Sequence, residues 1–504
     1  MTDSSKKFLF VSPCSDKQNF YRSLMAPALG CLRLVGFMKG RGYFAEYYDP
    51  NVRNVSDTVP TFEEKLAEHE WDFIGFSLLE ETLENDLKNI HLAHMIQPNA
   101  KLIAGGIEAQ FNYQTVLDKS PCEIVITGEG EIPMLMLAEG QPIGDIPGII
   151  FKNNAKALSQ ELFDEATGAI DWESINYEDY WDFYSGLYGD NMQAENNEEI
   201  HTVRLFSRNR CPIACKFCSS TGQLTLATGG NVPVISASHD TLLSVVDRIV
   251  ESHPRVSTIY LTDDDFCINK RDVMRFCEKV IERGYDDLKF MCFARATDIT
   301  EELLDWMYRA NFRRLNIGVE SYSQRILDEM NKRCRVDQIH NALALVKKSG
   351  IKAFTNIIMT TPETRIEDID VTVTEALKYV TQDFCDGSAI LAIRPLGGTE
   401  FANMHWDYNS YMRHVEEIDG RSLGDKSFYL KKDDFIWSYD PIVREIQERY
   451  NEGLGAVLDK HAEDQNLVHQ TSRRIVAVKL GYMKQLVEEA KERHGLNTTI
   501  AAAE

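Results

Sequence analysis

The sequence predicts an α/β protein built in three parts. A doubly wound parallel sheet occupies about residues 1–150, a partial barrel of βα units about 200–405, and a helical region about 406–504, with a linker at 151–199. Three observations carry this. Short apolar runs alternate with amphipathic helical patterns from Phe8 onward, which favours parallel strands joined by crossover helices. Six such βα units follow one another between Thr202 and Ile393, each strand ending in polar residues. The last hundred residues instead show long helical periodicity with charged faces.

In the first part, Phe8–Ser12 opens as a buried strand. A helical pattern through Leu29, Leu32, Val35 and Met38 ends at Gly40 and Gly42. Phe44–Tyr48 is a second strand, followed by a turn at Asp49-Pro50-Asn51. Helix 63–70 leads to strand Phe73–Ser77, helix 84–96 to strand Lys101–Ala104, and a further strand runs Glu123–Thr127 into Gly128-Glu129-Gly130-Glu131. Ligands of such sheets bind at the carboxyl ends of strands. Here those ends carry Pro13, Ser77, Leu78, Gly105, Gly106, Gly128, Glu129 and Gly130. A last strand is expected over Asp145–Phe151. The linker is acidic and aromatic, and Trp172, Tyr177, Tyr180 and Trp181 are expected to pack between domains.

The barrel begins at Thr202–Phe206. The loop after that strand holds Cys211, Cys215 and Cys218, spaced C-x-x-x-C-x-x-C. A loop this tight can turn three thiolates toward one centre, and soft thiolates hold iron–sulfur clusters or zinc. Structural zinc takes four ligands, and no further Cys or His follows Cys218 before His239. Three ligands on a four-iron cluster leave one iron open. Further strands at Thr258–Leu261, Lys289–Phe293, Arg314–Ile317, Ala353–Ile358 and Ser388–Ile393 end in Asp263-Asp264-Asp265-Phe266, Arg295, Gly318-Val319-Glu320-Ser321, Thr361-Pro362-Glu363-Thr364 and Pro395-Leu396-Gly397-Gly398. Polar residues beyond each strand define one functional rim, as in complete barrels. Helices are expected over 435–462 and 471–491, with Trp437 and Tyr439 capping the barrel.

The cysteine spacing, with Phe217 before the last cysteine, resembles the radical S-adenosylmethionine (SAM) superfamily. The first 150 residues resemble the cobalamin-binding domain that precedes many radical SAM domains, through Leu29-Gly30…Leu32, FIGFS, GGI and GEGE. The resemblance implies a Rossmann-like cobalamin-binding domain and a TIM-like (β/α)6 radical SAM core. It implies a [4Fe–4S] cluster on Cys211, Cys215 and Cys218, Phe217 against the adenine of SAM, Asp263 and Asp264 at its amino group, Arg295 at its carboxylate, and Glu320 and Ser321 at its ribose. Asp49–Asn54 lacks the histidine of the D-x-H-x-x-G cobalamin motif, so the implied cobalamin is histidine-off and meets the loop at Leu78 and Leu79. Met359-Thr360-Thr361 departs from the glycines usual before Pro-x-Glu-Thr.

The implied activity is reductive cleavage of SAM to a 5′-deoxyadenosyl radical and methyl transfer to an unactivated carbon or phosphorus of a small molecule. The alternatives are a ring-forming, rearranging or redox enzyme of the same kind, and a non-enzymatic cobalamin or SAM sensor. An electron donor such as flavodoxin or ferredoxin is an implied partner. Arg204, Arg208, Arg210 and Lys216 are expected to raise the local potential or to dock that donor. A net charge of −24 gives no general attraction for nucleic acid or anionic lipid, and the apolar runs are shorter than a membrane span. The 11 cysteines in 504 residues read as thiols or metal ligands in a cytoplasmic protein.

Overall fold

The computed structural model describes residues 6–15, 25–57, 59–149, 153–188, 200–230, 232–393, 396, 398–401, 412–418, 421–429, 438–462 and 473–496. Two parallel sheets dominate. The first contains β1 (Lys7–Val11), β2 (Phe44–Tyr48), β3 (Phe73–Ser77), β4 (Lys101–Gly105) and β5 (Ile124–Val125), in the order β2-β1-β3-β4-β5. The order reverses between β1 and β3, so the ligand crevice of this sheet lies where Val11 and Ser77 end. Phe8, Leu9, Ile74 and Leu102 are buried because helices cover both faces.

The second sheet contains β6 (Thr202–Leu205), β7 (Thr258–Leu261), β8 (Lys289–Arg295), β9 (Phe312–Glu320), β10 (Lys352–Thr360) and β11 (Gly387–Ala392), in strictly sequential order and all parallel. Neighbouring βα units pairing in sequence is the wiring of a partial barrel. On β6 to β9, Val203, Leu205, Ile259, Cys292, Leu315 and Ile317 are buried, while the alternating Arg204, Tyr260 and Phe293 are half-buried.

The segment between the sheets is a packed layer. Helices Gln160–Gly168 and Tyr177–Tyr188 bury Phe163, Tyr180 and Trp181. Trp181 Nε1 donates to the Thr202 carbonyl at 3.3 Å, and Tyr180 Oη donates to Asp49 at 2.9 Å. The guanidinium of Arg33 pairs with Glu131 at 2.8 Å and stacks on Phe163 and Phe206, which joins the first sheet, the connector and the barrel.

Four local expectations are corrected. Asp49-Pro50-Asn51 is not a simple turn: Asp49 caps a helix over Pro50–Val55 by accepting from the Asn51 amide. The fifth strand shrinks to Ile124–Val125. The expected strand at 145–151 is a single antiparallel bridge between Ile126 and Ile149 among the described residues. The last region is not wholly helical, because a hairpin of β12 (Met412–Ile418) and β13 (Arg421–Tyr429) precedes helices Pro441–Ala462 and Arg473–Arg493. Trp437 lies outside the described residues. No described helix is long and apolar enough to cross a membrane.

Candidate active site

The loop after β6 is held on three sides. Asp263, beyond β7, accepts from the Ser207 amide at 2.8 Å, the Arg208 amide at 2.7 Å and the Ser207 hydroxyl at 2.7 Å. The carbonyl of Met330 accepts from the Lys216 amide at 3.0 Å, and Asn331 Nδ2 donates to the Ala214 carbonyl at 2.9 Å. The Phe401 amide donates to the Lys216 carbonyl at 3.2 Å. Ala214 sits between the first two cysteines at φ 56°, a left-handed conformation costly for a residue with a Cβ. Cys211 is buried, and Cys215 and Cys218 are half-buried; none of the three is in a disulfide. Burial pushes the Cys211 thiol up to about 12 and also raises that of Cys215. The three sulfurs are not all within 4.8 Å of one another. Two thiolates on one tetrahedral zinc at ~2.3 Å would sit about 3.8 Å apart. The three thiols are therefore not preset around a single tetrahedral zinc.

Around these sulfurs the strand-end residues take distinct positions. Cys218 Sγ contacts Ser220 Oγ at 3.0 Å, and Ser220 Oγ donates to Asp264 at 3.0 Å. Asp263 is spent on the loop, whereas buried Asp265 lies against the carboxyl of Asp298. Burial first, then the adjacent Asp298, raises the Asp265 carboxyl. Arg295 donates to the Lys332 carbonyl at 2.5 Å, stands 4.0 Å from Asp298, and keeps a buried Nε without a partner. Glu320, at φ 62°, pairs with Lys332 at 2.6 Å. Lys332 Nζ lies 5.8 Å from the centre of the Phe217 ring. Ser321 Oγ is engaged with Thr372 at 2.9 Å and accepts from the Ser323 amide, inside the barrel wall. A small apolar cluster of Ile326, Met330, Ile393 and Phe401 packs with Phe217 and Ile358 below the loop.

Of the four basic residues near the cysteines, Arg208 is buried and donates to the carbonyls of Asp265 and Phe266. Arg210 donates to Thr225 and Lys216 pairs with Glu400. These three have partners within the protein, and Arg204 is half-buried on β6.

At the crevice of the first sheet, Pro13-Cys14-Ser15 is clamped. Asn51 Nδ2 donates to the Pro13 carbonyl at 2.7 Å, the Cys14 amide donates to Asp86 at 2.7 Å, and the Ser15 amide donates to Asn51 at 2.9 Å. The Leu78 amide donates to the Gly105 carbonyl at 2.9 Å. Gly106 has φ 90°, and a Cβ there would lie 3.0–3.1 Å from Leu78 backbone atoms and Ser77 Oγ. The Gly128-Glu129-Gly130 turn faces the barrel: Gly128 meets Ala155, Leu224 and Ala227, and Glu129 accepts from the Leu158 amide at 2.8 Å. Buried Gln110 bridges this seam, accepting from the Gly128 amide at 3.1 Å and donating to the Gln223 carbonyl at 2.7 Å. Gln223 belongs to helix Ser219–Thr228, which starts immediately after Cys218. One helix thus runs from the cysteines to the glycine turn of the other domain.

Sequence reasoning missed Asp265, Asp298, Lys332 and Gln110. The Asp-Asp-Asp run was visible, but the run itself does not say which carboxylate faces the loop backbone. Lys332 and Gln110 reach the site only through contacts distant in sequence.

Comparison with known proteins agrees with this arrangement. Residues 23–138 match the B12 binding domain model, and residues 206–376 match the Radical SAM superfamily model. The chain is 25% identical over 333 residues to the anaerobic magnesium-protoporphyrin IX monomethyl ester cyclase of Cereibacter sphaeroides, covering 63% of this chain and 51% of that protein. It is 22% identical over 348 residues to an uncharacterized methyltransferase of Pyrococcus horikoshii, covering 67% and 69%. The match therefore spans about half the length of the cyclase. In fold, the chain is similar to the cobalamin-dependent SAM radical enzyme OxsB with aqua-cobalamin and SAM bound, with TM-score 0.65, 15% identity, and 96% and 72% of the two chains covered. A three-cysteine loop at the rim of six parallel βα units, joined to a B12-binding sheet, places this chain in the cobalamin-binding-domain family of radical SAM proteins.

Proposed function

We propose that the protein is a cobalamin-dependent radical SAM enzyme that transfers a methyl group to an unactivated carbon or phosphorus of a small molecule. The observation that carries this reading is the cysteine loop itself. The loop carrying three cysteines outside any disulfide is gripped by Asp263, by the Met330–Asn331 turn and by Phe401, and helix Ser219–Thr228 links it directly to the glycine turn of the B12-binding domain. When bound, a [4Fe–4S] cluster would supply one-electron reduction of SAM, and cobalamin would supply a carrier for the methyl group.

The residues present fit these groups. Cys211, Cys215 and Cys218 would hold the cluster. Asp265 is a buried carboxylate set beside that of Asp298, and two adjacent acidic groups favour a cation between them. The ammonium of SAM suits it, with Asp264 beside it, and the unpartnered Nε of Arg295 suits the SAM carboxylate. Phe217 offers a ring face on an apolar floor for the adenine. In the other domain, the crevice at Pro13, Ser77, Leu78, Gly105 and Gly106 is lined by clamped backbone. The domain's histidines are His69, His91 and His94, and none lies on those loops. Cobalamin would therefore sit there without a histidine ligand.

A second reading, ring formation or another radical redox step, is supported by the sequence similarity to the cyclase. Anaerobically reconstituted protein, given cobalamin, reductant and SAM labelled on its methyl group, separates the two. Labelled product with S-adenosylhomocysteine and 5′-deoxyadenosine supports methyl transfer. 5′-Deoxyadenosine without S-adenosylhomocysteine supports the second reading. The absence of SAM cleavage refutes both.

A further inference from the structure

Lys332 and Glu320 form an ion pair that the expectations for the site did not include. Both are buried, with 6% and 7% of their surface exposed, and Nζ lies 2.6 Å from Oε1. The fold goes to some expense to place this pair. Glu320 is at φ 62°, and the residues on either side of Lys332, Asn331 and Arg333, are at φ 52° and 51°. Non-glycine residues seldom hold such conformations, and they persist only where their surroundings enforce them. The same turn grips the cysteine loop through the Met330 carbonyl and Asn331 Nδ2. Its lysine reaches the ring of Phe217, which stands between Cys215 and Cys218. Gly318 leaves room for the pair: a Cβ there would lie 2.6 Å from Glu320 Oε1 and 2.7 Å from Lys332 Nζ.

A four-iron cluster on three thiolates is net negative, and more so after reduction. Its potential follows the charges and hydrogen bonds around it. Charges removed from water act more strongly on their surroundings than exposed ones. Other charged groups on or near the loop include Arg295, Asp263, Asp264, Asp265, Asp298, Arg208, Arg210 and the Lys216–Glu400 pair.

We propose that Lys332 and Glu320 are a matched charge pair that sets the reduction potential of the cluster. Lys332 favours the reduced form, and Glu320 holds the ammonium in place while offsetting part of its charge. The inference rests on Cys211, Cys215 and Cys218 holding a [4Fe–4S] cluster. The redox step is the addition of one electron to the cluster from an external reductant, with no bond made or broken.

The test is a potentiometric titration with dithionite, followed by electron paramagnetic resonance, on reconstituted full-length protein without SAM. K332M leaves Glu320 as an unpaired anion and should disfavour reduction at least tenfold, about 59 mV for one electron. E320Q leaves Lys332 uncompensated and should favour reduction by a comparable factor. K332R should stay close to wild type. Opposite signs separate electrostatic control from simple loss of structure, which would move both variants the same way. Equal potentials in all variants, same-direction shifts, or shifts that appear only once SAM is added would overturn the inference. If K332M loads no cluster, E320Q decides alone, since it must raise the potential. Wild-type protein that loads no iron–sulfur cluster would instead refute the underlying cluster assignment.

Discussion

Replacing Asp263 by alanine is expected to destabilise the protein and to empty the cysteine loop. Asp263 accepts three hydrogen bonds of 2.7–2.8 Å, two of them from consecutive backbone amides at the end of β6. The residue is buried, so water cannot replace them. Each buried donor left unpaired costs about 1–3 kcal/mol, and a charged acceptor raises the value of each bond. The three bonds form one unit, so their loss is not additive, and a total of about 3–5 kcal/mol is expected. At roughly 2–4 °C per kcal/mol for a barrel of this size, the melting temperature should fall by about 10 °C. Iron bound after reconstitution should fall with it, because the strand end that launches the loop is no longer fixed. D263N keeps one acceptor oxygen for the two amides and should recover most of the stability. Thermal melting and iron analysis of the three proteins check this. D263A melting within about 2 °C of wild type, with full iron content, would refute the reasoning. A D263N protein of normal stability that binds SAM tenfold more weakly would show that the carboxylate touches SAM after all.

Three further outcomes are expected. Gly106→Ala forces a Cβ into a left-handed site within 3.0–3.1 Å of Leu78 and Ser77. It should cost about 1–3 kcal/mol and weaken cobalamin uptake, read by absorbance after gel filtration; unchanged uptake contradicts the crevice assignment. Gln110→Leu strips partners from the Gly128 amide and the Gln223 carbonyl, so protection of this seam in hydrogen exchange should drop while the barrel strands stay protected; no change would dismiss the bridge. The third concerns pH. Burial, chiefly, pushes the Asp49 carboxyl from 3.8 up to about 6. The folded chain therefore binds that proton more tightly than the unfolded chain. The stability this gives is fully present below about 3.8 and is lost as pH rises through about 6. D49N should flatten the decline in urea midpoint across that window, and a variant with the wild-type slope would contradict it.

Much of the architecture was legible because it is written in short periods. Apolar strands separated by amphipathic helices announced parallel sheets, and Cys211-x-x-x-Cys215-x-x-Cys218 fixed the loop that matters. The glycines at 105, 106 and 128 marked strand ends correctly, but not which way each turn faces. Gly106 lies on the crevice, whereas Gly128 packs on the barrel helix, a contact that only the assembled domains create. Asp49-Pro50 carried a legible helix start, since aspartate caps and proline favours the first turn, yet it was read as a turn. Ser321 looked available beside Glu320, but its hydroxyl is committed to Thr372, 51 residues away. Lys332 was invisible as a site residue for the same reason: its neighbours Asn331 and Met330 reach the cysteine loop from more than a hundred residues downstream. Local pattern specifies elements; side-chain duty depends on what the fold places opposite.

The most direct test is metal and sulfide analysis of anaerobically purified, reconstituted protein, with its absorption spectrum, before and after removal of Cys211, Cys215 and Cys218. About four iron and four sulfide per chain, lost on replacing the three cysteines with alanine, are expected. Zinc in place of iron, or an iron–sulfur chromophore that survives loss of those three thiols, would contradict the account.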